Sequence, residues 1–201
     1  MDHQPPEVGA EFELLVDGKY QELVDLCLRK EFTSQDPALS YAFHLIALNL
    51  LDQNEQARLV WRRFKQQNHR NEAVKTIWTI CCMFIQQKYG EFFKALLGTA
   101  LPAPFPDIFA VWRSAALDQF VSMIECTFST ITEAQFCAFV GEQADATAAL
   151  VTGRGWTIDS TKHIYCIPQT IRDKAKLARS KMTVDDETLF HSLTAMLSTS
   201  Q

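Results

Sequence analysis

Glycine and proline are scarce in this chain, seven of each among 201 residues, which excludes collagen-like and low-complexity classes. A membrane-spanning run is lacking too. The longest apolar-looking stretch, Ile77 to Ile85, is nine residues and contains Thr79, against the roughly 20 that a spanning helix requires. Met1 to Ala10 is polar and proline-containing with no basic segment leading into an apolar one, so no secretory signal is expected and the chain is read as intracellular. Nor is there a large excess of one charge. Nineteen Lys and Arg against 24 Asp and Glu leave a formal −5, which gives no general attraction to nucleic acid or an anionic membrane and would require a local patch for either.

The residue patterns of catalysis are also thin. No two of His3, His44, His69, His163 and His191 lie closer than 25 positions, whereas metal hydrolases gather imidazoles and carboxylates at short spacing on one element. The six cysteines, at 27, 81, 82, 126, 137 and 166, form no C-x-x-C pair and each sits on an apolar stretch, so they read as reduced core thiols. His163 and Cys166 stand three apart in a strand-like run, which turns them to opposite faces. Neither phosphate-binding glycine motif is present. No catalytic residue, metal ligand or cofactor site is therefore assigned, and the chain is read as non-enzymatic.

What is present is helix and bulk. The chain is 47% hydrophobic with fourteen Phe and four Trp, enough for one sizeable core or two small ones. After a flexible stretch at 1–10, residues 11–100 repeat apolar positions at helical spacing with short polar breaks, giving a repeat-like array of antiparallel helices. Tyr20 to Lys30 shows Leu23, Leu26 and Cys27 on one face. Asp36 with Pro37 is the expected start of Ala38 to Leu51, a helix apolar almost all round and so the centre of its layer. Asn54 to Gln66 separates Ala57, Val60, Trp61 and Phe64 from Arg58, Arg62 and Lys65, and Asn71 or the residue before it can cap the helix through Ile85.

Leu101 to Pro106, with three prolines, breaks the array and marks the expected boundary. The block at 107–168 opens with a long helix bearing Phe109, Trp112, Ala116, Phe120, Met123, Ile124 and Phe128. Thr132 then caps Glu133 to Val140, with Phe136, Phe139 and Val140 on one face, and Gly141 ends it. A second short helix runs to Gly153. Trp156 to Asp159, with Trp156 and Ile158 inward, and His163 to Ile167 form a hairpin. Helix, helix, hairpin is the order of a winged helix. Residues 169–182 read as a basic linker, and 183–201 as a terminal helix with Asp185, Asp186 and Glu187 in its first turn and Leu189, Phe190, Leu193, Met196 and Leu197 along one face.

Winged helices that bind duplex DNA insert their second short helix into the major groove. Between Ala95 and Gly153 there is one base, Arg113, against six acids, so nucleic-acid binding is the disfavoured reading. The two basic stretches, Arg58 to Lys75 and Lys162 to Lys181, read mainly as solvated faces. The hairpin offers a strand edge that another chain could extend. An isolated helix as short as the terminal one is marginal, so it docks either on its own array or among helices of other chains.

Four segments carry a resemblance: Phe128 to Gly141 (FSTITEAQFCAFVG), Gly155 to Pro168 (GWTIDSTKHIYCIP), Ala57 to Phe64 (ARLVWRRF) and Ile77 to Ile80 (IWTI). With them the sequence resembles the PCI family, shared by the signalosome, the proteasome lid and translation initiation factor three, and over about Leu39 to Pro168 it is most similar to the signalosome branch. The resemblance implies a mainly α fold: a helical-repeat array, a winged-helix subdomain and a C-terminal helix. It implies a non-catalytic assembly subunit of a cytoplasmic and nuclear complex that removes the ubiquitin-like modifier Nedd from cullins and so regulates cullin-RING ligases, with no membrane partner. Family members pair through winged-helix sheet edges and a shared bundle of terminal helices. The matching interface positions here are Trp156, Ile158, Ile164, Tyr165, Ile167, Leu189, Phe190, Leu193, Met196 and Leu197. Lid and initiation-factor subunits are the alternatives.

Overall fold

Helix α3 (Ala38–Leu50) is the pivot of the N-terminal array in the computed structural model, which describes residues 9–33, 37–66 and 71–178. All of its residues except Leu39 are buried, because α2 (Tyr20–Thr33), α4 (Asn54–Gln66) and α5 (Glu72–Ile85) pack around it. Its nearly all-round apolar sequence foretells that position. The flanking helices α1 (Ala10–Val16) and α6 (Tyr89–Gly98) complete the array. Asp36, the expected cap of α3, lies outside the described residues; Pro37 occupies the position before its first turn. Asn71 caps α5 as expected, its side chain accepting from the Ala73 and Val74 amides at 2.9 and 3.3 Å.

The short breaks between helices are hydrogen-bonded caps. After α1, α3 and α5, paired amide-to-carbonyl bonds close the last turn around a residue in the left-handed region: Gly18, Asp52 and Gln87, with φ of 72°, 56° and 61°. The second and third of these do without glycine. This is how a chain with so few glycines turns so often.

One polar cluster is buried in the array. Glu31 on α2 is 4% exposed and receives His44 Nδ1 from α3 on one oxygen and Arg63 Nη2 from α4, at 2.9 Å, on the other. Glu31 therefore ties three helices at a fixed register, since leaving either oxygen of a buried carboxyl group without a partner is costly.

Helix α7 (Phe105–Thr127) starts at the proline-rich entry but belongs to two compact units: residues up to Asp118 fall in the first, and Gln119 onward in the second. The division thus lies inside a continuous helix. In the first unit Trp112 is fully buried, edge-on to Phe92 and donating from Nε1 to Asn49 at 3.2 Å. The last turn of α8 (Glu133–Val140), with the residues to Glu142, also counts with the first unit. There Gly90 allows the backbone of α6 to meet that of α8: a Cβ on Gly90 would sit 2.3 Å from the Ala138 carbonyl oxygen. Arg113 and Glu142 form an ion pair at the same end.

The second unit is a winged helix. A capping box starts α8: Gln135 N–H donates to Thr132 Oγ1 at 3.2 Å, while Thr132 N–H donates to Gln135 Oε1 at 3.3 Å. Helix α9 (Ala144–Gly153) ends in a left-handed Gly155, with Gly155 and Trp156 amides bonded back to Thr152 and Val151. A three-stranded antiparallel sheet follows in order β1-β3-β2, built from β1 (Thr130–Thr132), β2 (Thr157–Asp159) and β3 (Ile164–Cys166). The sequence pattern leads one to expect only the β2–β3 hairpin, so β1 is an addition. Residues 169–178, expected as a linker, are helical (α10), because Lys, Arg, Ala and Leu favour a helix irrespective of their charge. Ile171 of α10 sits 3.6 Å from the Cβ position of Gly155. The expected terminal helix at 183–201 lies outside the described residues. Among those described, no helix is long and apolar enough to cross a membrane.

Candidate subunit interface

The sheet of the second unit decides which backbone can pair outward. β3 hydrogen-bonds on both sides, Tyr165 lying opposite Ile131 of β1 and opposite Ile158 of β2. Directly opposed residues share a face, so Ile131, Tyr165 and Ile158 make one apolar row across the sheet. Ile131 and Tyr165 are 5% and 1% exposed, whereas Ile158 is 40% exposed. The inward reading of Ile158 is thereby corrected. Its face is the inner one, but it stands at the end of the row on a three-residue edge strand, beyond the cover that shields its neighbours.

The remaining expected positions separate by depth. Tyr165 packs edge-on against Phe136, and its hydroxyl lies 3.1 Å from Thr147 Oγ1. Trp156 is buried against Phe136 and donates to the buried Glu125 at 2.9 Å. Ile167 is buried and Ile164 half-buried. These are core positions that hold the sheet on its helices. Of the five sheet-associated candidates, Ile158 alone offers a large exposed side chain. Leu189, Phe190, Leu193, Met196 and Leu197 lie outside the described residues. Phe139, expected inward, is 39% exposed, since α8 buries only Phe136 and Val140 of that trio.

The turn between β2 and β3 is rigidly made. Asp159 Oδ1 accepts from the Thr161 hydroxyl at 2.8 Å and from the Thr161 and Lys162 amides at 3.1 and 3.2 Å. The hydroxyl bond foremost, then the Lys162 amide, holds the Asp159 carboxyl below its ordinary range, against some desolvation. His163 follows in the left-handed region, φ 52°, its Nδ1 3.2 Å from Glu133 Oε2 and its carbonyl accepting the Glu133 amide at 2.9 Å. The wing is thus tied to the start of α8.

The same geometry bears on catalysis and DNA readout. Burial pushes the Cys27 and Cys81 thiols well above the ordinary value, opposing the thiolate a nucleophile needs. Cys166 lies on the central strand and His163 is engaged with Glu133. No group of three or more His, Cys, Asp or Glu side chains among the described residues is placed to hold a metal ion. Helix α9 carries Asp145 in its first turn and no Lys or Arg along its length, a poor surface for a polyanion.

A helical array followed by a winged helix whose sheet has two edges is the arrangement to set beside known proteins. The family described as CSN8/PSMD8/EIF3K matches residues 37–176, more than half of the chain. The chain belongs to that family. The CSN8/PSMD8/EIF3K match begins at the residue before α3 and ends within α10, so it takes in most of the array, the winged helix and both sheet edges. COP9 signalosome complex subunit 8 of Arabidopsis thaliana is 22% identical over 187 residues, covering 89% of this chain and 95% of the relative. The family membership agrees with the resemblance carried by Phe128 to Gly141 and Gly155 to Pro168.

β1 is the element that the sequence pattern conceals. Its signal, Thr130-Ile131-Thr132, is short, begins soon after the end of α7 and shares Thr132 with the capping box of α8, so helical punctuation masks a β-branched run.

Proposed function

We propose that this chain is a non-catalytic assembly subunit of a COP9 signalosome, the complex that removes Nedd from cullins in cytoplasm and nucleus. It joins its neighbours by strand addition at β2 and by residues 183–201. The single observation that carries the sheet-edge role is the apolar row Ile131–Tyr165–Ile158, buried along β1 and β3 and left exposed at β2. β2 is a short edge strand with one exposed apolar side chain, Ile158, and its outer backbone groups are open to a neighbouring strand. Main-chain bonds from a neighbour would extend the sheet while Ile158 is covered. The likeness to the Arabidopsis subunit supports the choice of complex. The Asp185-Asp186-Glu187 start and the Leu189 to Leu197 stripe supply an amphipathic segment for a bundle of terminal helices.

Affinity-tagged full-length chain expressed in its own cells tests this. Wild type is expected to retain signalosome subunits. Ile158→Lys, a change at an exposed position, and deletion of 183–201 each reduce their recovery, and the two together abolish it. Full recovery with both changes present would remove these segments from assembly.

A further inference from the structure

We propose that the outer surface of α4 and α5 binds an acidic peptide segment of another protein. Two tryptophans of the first unit are held at its surface rather than in its core. Trp61 of α4 and Trp78 of α5 are half-buried and stacked, with ring centroids 5.4 Å apart and planes 11° from parallel. Trp61 also stacks on the fully buried Phe64, at 5.5 Å and 21°. The indoles are thereby anchored to the core. Neither indole N–H has a hydrogen-bond partner among the described residues. Indoles kept this close to the surface are common where a partner satisfies the N–H.

The charges around the stack are of one sign in excess. Arg58, Arg62 and Lys65 recur at three- and four-residue spacing along the exposed side of α4, and Lys75 stands one turn before Trp78 on α5. Two acids share this surface, and each is already engaged: Glu55 with Arg58 at 3.6 Å and Glu72 with Lys75 at 2.5 Å. Arg62 and Lys65 are exposed and make no ion pair among the described residues. A chain of net −5 therefore keeps two unpaired cations beside an aromatic platform. Carboxylates of the peptide pair with Arg62 and Lys65, and its carbonyls accept from the indoles. A nucleic acid fits less well, because a base would have to separate rings already stacked on each other.

A fluorescein-labelled peptide rich in Glu with one Phe is titrated against the full-length chain by anisotropy, with acrylamide quenching of tryptophan emission in parallel. Trp112 and Trp156 are buried, so quenching reports Trp61 and Trp78. Binding is expected to weaken with salt and to protect the emission. Arg62→Glu with Lys65→Glu weakens it by about tenfold or more. Lys174→Glu with Lys176→Glu, in the other basic stretch, leaves it unchanged. Equal binding by the Arg62/Lys65 variant would overturn the proposal, as would tighter binding of a uridine oligonucleotide than of the peptide. Binding that appears only after deletion of 183–201 would assign the surface to the chain's own acidic segment and overturn it equally.

Discussion

Replacing Gly90 by alanine places a methyl carbon where the backbone of α8 already lies. The Ala138 carbonyl oxygen is 2.3 Å from that Cβ position, with the Ala138 carbonyl carbon at 3.5 Å and the Phe139 oxygen at 4.0 Å. The closest of these is about 1 Å short of ordinary van der Waals contact, and the obstructing atom is backbone, so no side-chain rotation relieves it. Either α6 or the end of α8 must move, and Gly141 leaves little room, since its own Cβ position is 3.1 Å from the Gly90 oxygen. Overpacking of this kind costs about 1 to 3 kcal/mol. Alanine recovers up to about 1 kcal/mol of helix propensity, less at the second residue of α6 than in a helix interior. Steric cost wins, leaving a net loss of about 1 to 2 kcal/mol. That corresponds to a melting temperature lower by roughly 2 to 8 °C for a chain of this size. Thermal unfolding by circular dichroism measures it, with Gly98→Ala as control. Gly98 is in the same helix with nothing within 4 Å of its Cβ position, so that variant changes little or gains slightly. Gly90→Ala as stable as wild type would refute the close backbone approach.

Other expectations concern the array and its thiols. Gln87→Gly relieves a side chain held at φ 61° and should stabilise by about 0.5 to 1 kcal/mol after the entropic cost of glycine, read from urea midpoints. Arg63→Met leaves the buried Glu31 carboxylate with His44 alone and should cost about 2 to 4 kcal/mol in the same assay. The raised Cys27 and Cys81 thiols set an alkaline limit. Below the ordinary value of 9.0 the thiols are protonated folded or unfolded; above it the unfolded chain releases protons that the folded chain keeps. Stability therefore falls as pH rises beyond about 9, by up to about 1.4 kcal/mol per pH unit for each thiol. Denaturation midpoints at pH 8 and 10 check this. The variant with both cysteines changed to alanine is expected to start less stable but to lose less between the two pH values.

Helices are legible in the sequence where one apolar stripe faces one core. α4 follows Ala57, Val60 and Phe64, and α3 declares its central place by having no polar side. The caps are legible where a side chain makes them, at Asn71 and Thr132, and obscure where the backbone makes them, at Asp52 and Gln87. Depth within the winged helix is harder to read. Trp156 and Ile158 alternate correctly, yet Ile158 is exposed while Ile131, on the opposite edge strand of the same row, is buried, and alternation along one strand does not show which end of a row is covered. The division of α7 between two units is hidden for a related reason: a continuous helical pattern runs through it, and only the partners of Trp112 and Glu125 tell its halves apart. α10 is obscured by its charge, since a run of bases has the look of a solvated linker although its residues favour a helix.

Membership of a signalosome is what the fold and the family together lead to. Native mass spectrometry of the complex recovered at endogenous level through a tag on this chain tests it most directly. One copy of the chain is expected in a stoichiometric assembly with the other signalosome subunits. Recovery instead with subunits of the proteasome lid or of initiation factor three would contradict it.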